Sequence, residues 1–181
     1  MRINSINLPK VTQIGGSFLS YSEMLTLKLP NLTQVGDCFL YWNDSLTTLS
    51  LPNVTQGGDR FLSHNHVLTT LNLPKLTQVG DWFLYLNTGI TALDLPRLTE
   101  VGNDFFYRNN ALTTVDLPNI TQVGDRFLGR NEVLTALDLP RLTTVGKYFL
   151  YYNNSLTTLT VPKLTNVGDN FLFLNRRSLR F

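Results

Sequence analysis

The side chains best suited to binding another molecule recur at three positions of a 22-residue period, which is marked by eight prolines from Pro9 to Pro162. Those three positions hold both tryptophans, all seven tyrosines and four of the arginines of the chain. Tryptophan, tyrosine and arginine are the residue types that most often anchor protein–protein interfaces. Their alignment along a repeating scaffold therefore predicts a strip that binds another protein.

Each position of the repeat forms a column, numbered from the apolar residue that opens the unit, so that proline occupies column 7. Columns with a structural duty should keep one residue type, whereas columns 15, 18 and 19 vary from copy to copy. We call these three variable columns the aromatic–arginine strip. The residues predicted to contact a partner protein are Tyr41, Trp42, Arg60, His64, Trp82, Tyr85, Tyr107, Arg108, Arg126, Arg130, Tyr148, Tyr151 and Tyr152.

An enzyme is the less favoured alternative. Cys38 in column 15 and His64 in column 19 belong to neighbouring copies, so a thiol–imidazole pair could form. Such a pair needs an orienting third group and an oxyanion site, and the sequence indicates neither. The chain also lacks a phosphate loop, a paired-cysteine motif and histidine spacing for a metal. We therefore expect a non-enzymatic protein with no metal ion and no cofactor.

Two further rows of side chains offer competing interpretations. Asp94, Asp116 and Asp138 occupy column 5 of successive copies, where they could bind a cation or a basic partner, although such a row is more often a solvated strand face. The threonines of column 2 resemble the flat faces of ice-binding solenoids, but no threonine pair on one strand face accompanies them. This second row comprises Thr47, Thr69, Thr91, Thr113, Thr135 and Thr157.

The elements that must position these residues are two short strands per copy. Columns 4 and 6 are apolar, which is the period of two expected for a strand with one buried face. The column-7 proline should end that strand because proline cannot donate to a ladder. Threonine at column 10 and a β-branched residue at column 12 predict a second strand. A unit of 22 residues cannot bury its own apolar face, so the copies should stack as a solenoid.

Three columns should hold the stack together, two of them invariant and the third, column 20, uniform from Asn43 onward. Glycine in column 13 indicates either a positive φ or a close approach between coils. Phenylalanine in column 16 predicts an internal aromatic spine, and asparagine in column 20 predicts a buried ladder of side-chain hydrogen bonds. Gly57 replaces valine in column 12 and should leave its coil under-packed.

Composition limits the remaining possibilities. The net charge is +2, without the clustered positive charge of a nucleic-acid interface, the only local excess being Arg176, Arg177 and Arg180. The chain shows neither an 18-residue apolar run nor a Sec-type signal peptide, so we expect a cytoplasmic protein or one exported into a host cell by another route. The repeat runs through residues 1–181 as one domain, and the uncapped ends make end-to-end self-association conceivable.

The unit L-x-x-L-x-L-P-x-L-T-x-V-G-x-x-F-x-x-x-N resembles leucine-rich repeats and is most similar to their BspA-type subclass. The resemblance implies a right-handed, curved solenoid of about eight coils, rich in short parallel strands and poor in helix, that binds proteins. It also implies two kinds of role: a bacterial effector-type regulator or inhibitor of another protein, or an adhesin-like cell-surface protein. The matching residues of one copy are Leu68, Leu71, Leu73, Pro74, Leu76, Val79, Gly80, Phe83 and Asn87.

Overall fold

The computed structural model describes residues 4–175, in which eight coils each contribute two short strands and no helix occurs. The first strands of the coils are β1 (Ser5–Asn7), β3 (Thr26–Lys28), β5 (Thr48–Ser50), β7 (Thr70–Asn72), β9 (Ala92–Asp94), β11 (Thr114–Asp116), β13 (Ala136–Asp138) and β15 (Thr158–Thr160). The second strands are β2 (Gln13–Ile14), β4 (Gln34–Val35), β6 (Gln56–Gly57), β8 (Gln78–Val79), β10 (Glu100–Val101), β12 (Gln122–Val123), β14 (Thr144–Val145) and β16 (Asn166–Val167). The predicted solenoid of short parallel strands is confirmed, and the C-terminal arginines lie outside the described residues.

Each first strand covers columns 3 to 5, so it ends two residues before the proline instead of at column 6. Its central residue faces the core, as at Leu49, while Thr48 and Ser50 on either side are exposed. The column-6 leucine that follows is still buried, and its N–H bonds the neighbouring coil in alternate coils, as Leu51 N does to Asn72 O at 3.1 Å. The buried columns form one continuous hydrophobic core along the stack.

The two sets of strands build different sheets. The second strands form one continuous parallel sheet in the order β16-β14-β12-β10-β8-β6-β4-β2, and glutamine side chains hydrogen-bond along part of it. The first strands pair only two by two, as β1 with β3, β5 with β7, β9 with β11, and β13 with β15. The face that carries the column-5 aspartates is therefore interrupted after every second coil.

The asparagine ladder predicted in column 20 spans each interruption. Between β3 and β5, Met24 N donates to Asn43 Oδ1 at 3.1 Å. Asn65 N donates to Asn87 Oδ1 between β7 and β9, and Asn109 N to Asn131 Oδ1 between β11 and β13, both at 3.0 Å. The buried amides thus supply a coil-to-coil bond where the strands supply none, which satisfies groups that would be costly to bury alone.

The column-16 phenylalanines form the predicted spine, with successive ring centroids 5.2–5.7 Å apart from Phe18 to Phe171. Most neighbouring rings are nearly parallel, but Phe61 is turned by 75° against Phe39. A Cβ on Gly57 would lie 2.3 Å from Cδ1 of Phe61. The expected under-packing at Gly57 is therefore wrong, because the rotated Phe61 ring fills the space of the missing side chain.

From Gly36 onward the column-13 glycines serve close approach to the preceding coil, and no glycine of this column has a positive φ. A Cβ on Gly102 would lie 2.7 Å from the carbonyl carbon of Gly80 in the preceding coil and 2.3 Å from a carboxylate oxygen of Asp81. Distances this short exclude any side chain at this column without separating the coils. The sequence left two roles open for this glycine, a positive φ or a close approach between coils, and the structure shows the close approach.

Replacing Phe83 with alanine should lower the free energy of unfolding by about 3–5 kcal/mol, because a fully buried ring in the middle of the spine is lost. Urea unfolding followed by far-UV circular dichroism measures the change, with Thr70→Ala on the exposed face as the control. An unchanged unfolding midpoint for Phe83→Ala would show that the spine contributes nothing.

Replacing Gly57 with valine should destabilise the protein by about 1–3 kcal/mol, since the new side chain overlaps the Phe61 ring. Adding Phe61→Leu should recover part of the lost stability, because the smaller side chain leaves room for valine at position 57. Urea midpoints of the single and double variants test both statements. A higher midpoint for Gly57→Val alone would contradict the packing described.

Candidate functional site

The strip is carried by an unusual backbone. The residues of columns 15, 17 and 19 have positive φ in every coil although none is glycine, as at Trp82, Leu84 and Leu86, with φ of 57°, 53° and 58°. The N–H groups of these columns bond alternately to the next and the previous coil. In one coil Arg60 N donates to Asp81 O at 2.7 Å, and Leu62 N to Phe39 O at 3.0 Å. The alternation turns columns 16 and 17 inward and leaves 15, 18 and 19 outside.

The N-terminal part of the strip is an aromatic cluster centred on His64. The imidazole stacks on Trp42 with centroids 4.7 Å apart and planes 6° apart, and it also contacts the rings of Tyr41 and Tyr85. Tyr85 in turn stacks on Tyr107 at 5.5 Å. Trp42 remains 42% exposed in spite of these contacts. The cluster is therefore a prearranged aromatic surface that still has area available to a partner.

A notch opens beside this cluster, where column 18 changes from tyrosine to Ser63. Tyr41, Tyr85, Trp82 and Arg60 are among the residues that line it, and the Arg60 guanidinium carbon lies 4.5 Å from the Trp82 ring centroid. The volume of the notch is about 340 Å³. Residues from all three variable columns thus meet at one concave point of the surface.

Arg126 has an intramolecular partner. Its Nε and one terminal nitrogen donate to the two carboxylate oxygens of Asp104 at 2.7 and 2.6 Å, and Asp104 is buried. This bidentate hydrogen bonding, opposed by burial of the guanidinium and aided by the charge of Asp104, raises the pKa of Arg126. Both residues belong to column 15. Part of the variation in that column therefore serves a hydrogen-bonded ion pair within the chain and not a partner.

The C-terminal part of the strip surrounds Arg130. Its guanidinium carbon lies 5.4 Å from the ring centroid of Tyr151 and 4.8 Å from that of Tyr152. Tyr151 contacts both Tyr148 and Phe173. Arg108, from the preceding coil, is exposed and lies 5.8 Å from the ring of Tyr107. Of the four strip arginines, Arg60, Arg108 and Arg130 thus lie against aromatic rings, and Arg126 does not.

The structure brings all thirteen predicted residues onto one face of the stack, in these neighbouring groups. The predicted contact residues omitted four members of the strip, although all four belong to its columns: Tyr21, which is 72% exposed, together with Phe173, Leu174 and Asp104. They also omitted His66, whose Nδ1 lies 2.8 Å from Asp44 Oδ1. Column membership was the signal available for both, since Asp44 and His66 also share one column in successive coils, 22 residues apart.

The alternative sites do not assemble in the described part of the chain. Cys38 is a half-buried free thiol, and the His64 imidazole stacks on the Trp42 ring. Residues 4–175 contain no group of three histidine, cysteine, aspartate or glutamate side chains placed to hold a metal ion. Column-2 hydroxyls donate to the preceding coil, as Thr113 Oγ1 does to Thr91 O at 3.0 Å. Over the same residues no helix could cross a membrane.

A parallel stack of 22-residue coils with a leucine and phenylalanine core defines the class as a leucine-rich-repeat solenoid. A model of the BspA type leucine-rich repeat region, with six copies, matches residues 1–91 and 78–180. The chain therefore belongs to the BspA-type leucine-rich repeat family, as its sequence pattern predicted.

Solved structures with the same fold agree with this assignment. A leucine rich cell surface protein from Faecalibacterium prausnitzii matches with a TM-score of 0.68 and 14% identity, over 93% of this chain and 66% of that one. A leucine-rich repeat protein from Bacteroides ovatus matches with a TM-score of 0.54 and 20% identity, over 96% of this chain and 60% of that one. At such identities the likeness shows the fold alone. A search of curated proteins finds no match.

The pKa of His64 should lie below its ordinary value of 6.5, because burial and the neighbouring His66 disfavour the imidazolium, with Asp44 acting in the opposite direction. The unfolded chain then binds the proton more readily than the folded one. The stability that depends on neutral His64 is present above about pH 6.5 and is lost as the pH falls through the lower, folded pKa. NMR titration of the imidazole resonances measures this pKa directly.

The matched control is His64→Tyr, because tyrosine occupies the same column at Tyr21 and Tyr152. This variant should show a smaller drop in urea midpoint between about pH 7.5 and about pH 5 than the native protein. A His64 pKa at or above 6.5 would contradict the burial argument.

Proposed function

We propose that this protein is a non-enzymatic recognition module that binds a partner protein on the aromatic–arginine strip. The observation that carries the proposal is the concentration of tryptophan, tyrosine and arginine on one face, in mutual contact and partly exposed. Such residue types in preformed arrangements characterise the energetic centres of protein interfaces. The opposite, first-strand face carries small polar side chains and is interrupted between coil pairs.

Preorganisation adds to this argument. Stacking between Trp42 and His64, and the placement of Arg60 over Trp82, restrict rotamers before a partner arrives. A side chain that is already ordered loses less conformational entropy on binding, which leaves more of the contact energy as affinity. The Ser63 notch provides the concave feature into which a single partner side chain would insert.

An adhesin-like cell-surface role is the second candidate. It is favoured by the fold shared with a leucine rich cell surface protein, of which this chain spans 66%. Regulation or inhibition of a partner is the other form that recognition could take. Both roles use the same strip, and they differ in consequence: an inhibitor changes the activity of its bound partner, whereas an adhesin retains cells or matrix on a surface coated with it.

Replacing Trp82, Tyr85 and Arg108 together with alanine should abolish partner capture without changing the far-UV circular dichroism spectrum. The matched control is the triple change Thr70→Ala, Asp94→Ala and Asp138→Ala on the first-strand face, where all three side chains are exposed. Immobilised native protein and both variants are incubated with the same lysate, and retained proteins are identified by mass spectrometry.

The proposal expects proteins that the native chain and the first-strand control retain and the strip variant loses. Each such protein is then purified and its dissociation constant measured by calorimetry with all three forms. Capture that survives the strip variant, or that is lost only with the first-strand control, would place the interface elsewhere.

A further inference from the structure

Two arginines of successive coils flank a second notch, of about 280 Å³, in the C-terminal half of the strip. Arg108 and Arg130 occupy column 19 of adjacent coils, where neighbouring chains of a parallel ladder are about 4.8 Å apart. The remaining lining residues are Leu86, Thr88, Asn110 and Glu132. The notch therefore places two permanent positive charges close together, beside a lining that is polar except for Leu86.

Neither guanidinium is neutralised by a carboxylate. Within residues 4–175 the ion pairs closer than 4.0 Å join His66 with Asp44, Arg126 with Asp104, and Lys147 with Asp169, and neither notch arginine takes part in one. Column 15 offers the comparison, because there Asp104 engages Arg126 through both oxygens. Column 19 has no such acid between its arginines, and Glu132, the one carboxylate in the lining, lies farther than 4.0 Å from both guanidinium groups.

Aromatic contacts also fix the orientation of the Arg108 and Arg130 guanidinium groups. Aromatic rings lie against both guanidinium groups, 5.8 Å from Arg108 and 4.8–5.4 Å from Arg130. One terminal nitrogen of Arg130 donates to Tyr151 Oη at 3.3 Å, while its Nε is shielded from solvent and has no hydrogen-bond partner. A stacked guanidinium presents its donors in the plane of the group, which suits an oxygen ligand approaching from the side.

We infer that this notch binds a carboxylate of the partner, supplied by an aspartate or glutamate side chain; the inference rests on the proposed function. The two guanidinium groups supply charge-assisted donors, and Thr88 and Asn110 lie within the same lining to complete the hydrogen bonding. Glu132 lowers the net charge of the lining from +2 to +1, which a single carboxylate balances. The partner surface is therefore acidic opposite Arg108 and Arg130 and apolar or aromatic opposite Trp42.

The test uses a small probe and not the unidentified partner. N-acetyl-aspartic acid amide is titrated into the full chain at low ionic strength, and the Nε–Hε resonances of the arginines are followed by NMR. N-acetyl-asparagine amide is the neutral control probe, and inorganic phosphate forms the third arm. The aspartate probe should shift the Arg108 and Arg130 resonances, whereas the asparagine probe should leave them in place.

Two sets of variants should change the affinity for the aspartate probe in opposite directions. Arg108→Gln with Arg130→Gln should remove binding of the aspartate probe, and Glu132→Gln should tighten it about twofold to fivefold by removing an opposing charge. Arg141→Gln, whose side chain bonds Asn119 away from the notch, should change nothing.

Equal responses to the aspartate and asparagine probes, tighter binding of phosphate than of the aspartate probe, or no effect of Glu132→Gln would each overturn the inference. Because no partner is used, failure of this titration is distinguishable from failure of the strip as a protein interface, which the capture experiment measures separately.

Discussion

Hydrogen bonding between successive coils is the constraint on which the rest of this molecule depends. A coil satisfies only part of its own backbone, as where Val54 N donates to Leu51 O at 3.3 Å, and many of its other donors and acceptors are matched by a neighbouring coil. In column 10, Thr55 N and Thr55 Oγ1 both donate to Thr33 O, at 2.8 and 3.2 Å. In column 14 a side-chain oxygen accepts the next backbone N–H, as Asp59 Oδ1 does from Asp81 N at 2.9 Å. These side-chain ladders hold the coils in a single register, because a slip of one residue would break all of them together.

The same constraint explains how large side chains occupy a left-handed backbone. A positive φ costs an ordinary residue about 1 kcal/mol or more, and every coil has three of them, so no isolated turn would keep this conformation. The stack holds it because N–H groups of columns 15, 17 and 19 bond to coils on both sides. One consequence concerns function: columns 18 and 19 lie side by side on the surface, which lets Tyr151 contact Tyr152 at 4.9 Å and both contact Arg130.

Sequence periodicity was sufficient to predict the stack, the two strands, the phenylalanine spine and the asparagine ladder, because each follows from which residue types repeat. Backbone dihedral angles do not follow in that way. Invariant glycine indicated column 13 as a possible site of positive φ, yet the positive values fall on the variable columns 15 and 19 and on column 17, which is leucine in every coil but that of Phe106. In none of these columns does the residue type indicate a left-handed backbone. The pairing of first strands two by two is likewise absent from a sequence that repeats every 22 residues and not every 44. The rotation of Phe61 depends on a contact between side chains that only coordinates reveal.

The strip illustrates the difference between a variable column and an available one. Arg126 and Arg130 follow the same rule in the sequence, since each lies in a column that changes from coil to coil. In the fold, Arg126 is bound by Asp104 through two short hydrogen bonds, and exposing that buried carboxylate unpaired would be costly. Arg130 instead lies against two tyrosine rings, its Nε is shielded from solvent, and no carboxylate of residues 4–175 lies within 4.0 Å of its guanidinium. Under the proposal above, a partner carboxylate would gain little at Arg126, where it must displace Asp104, and more at Arg130, where no carboxylate is in contact. The two arginines therefore differ in their contacts within the fold and not in the variability of their columns.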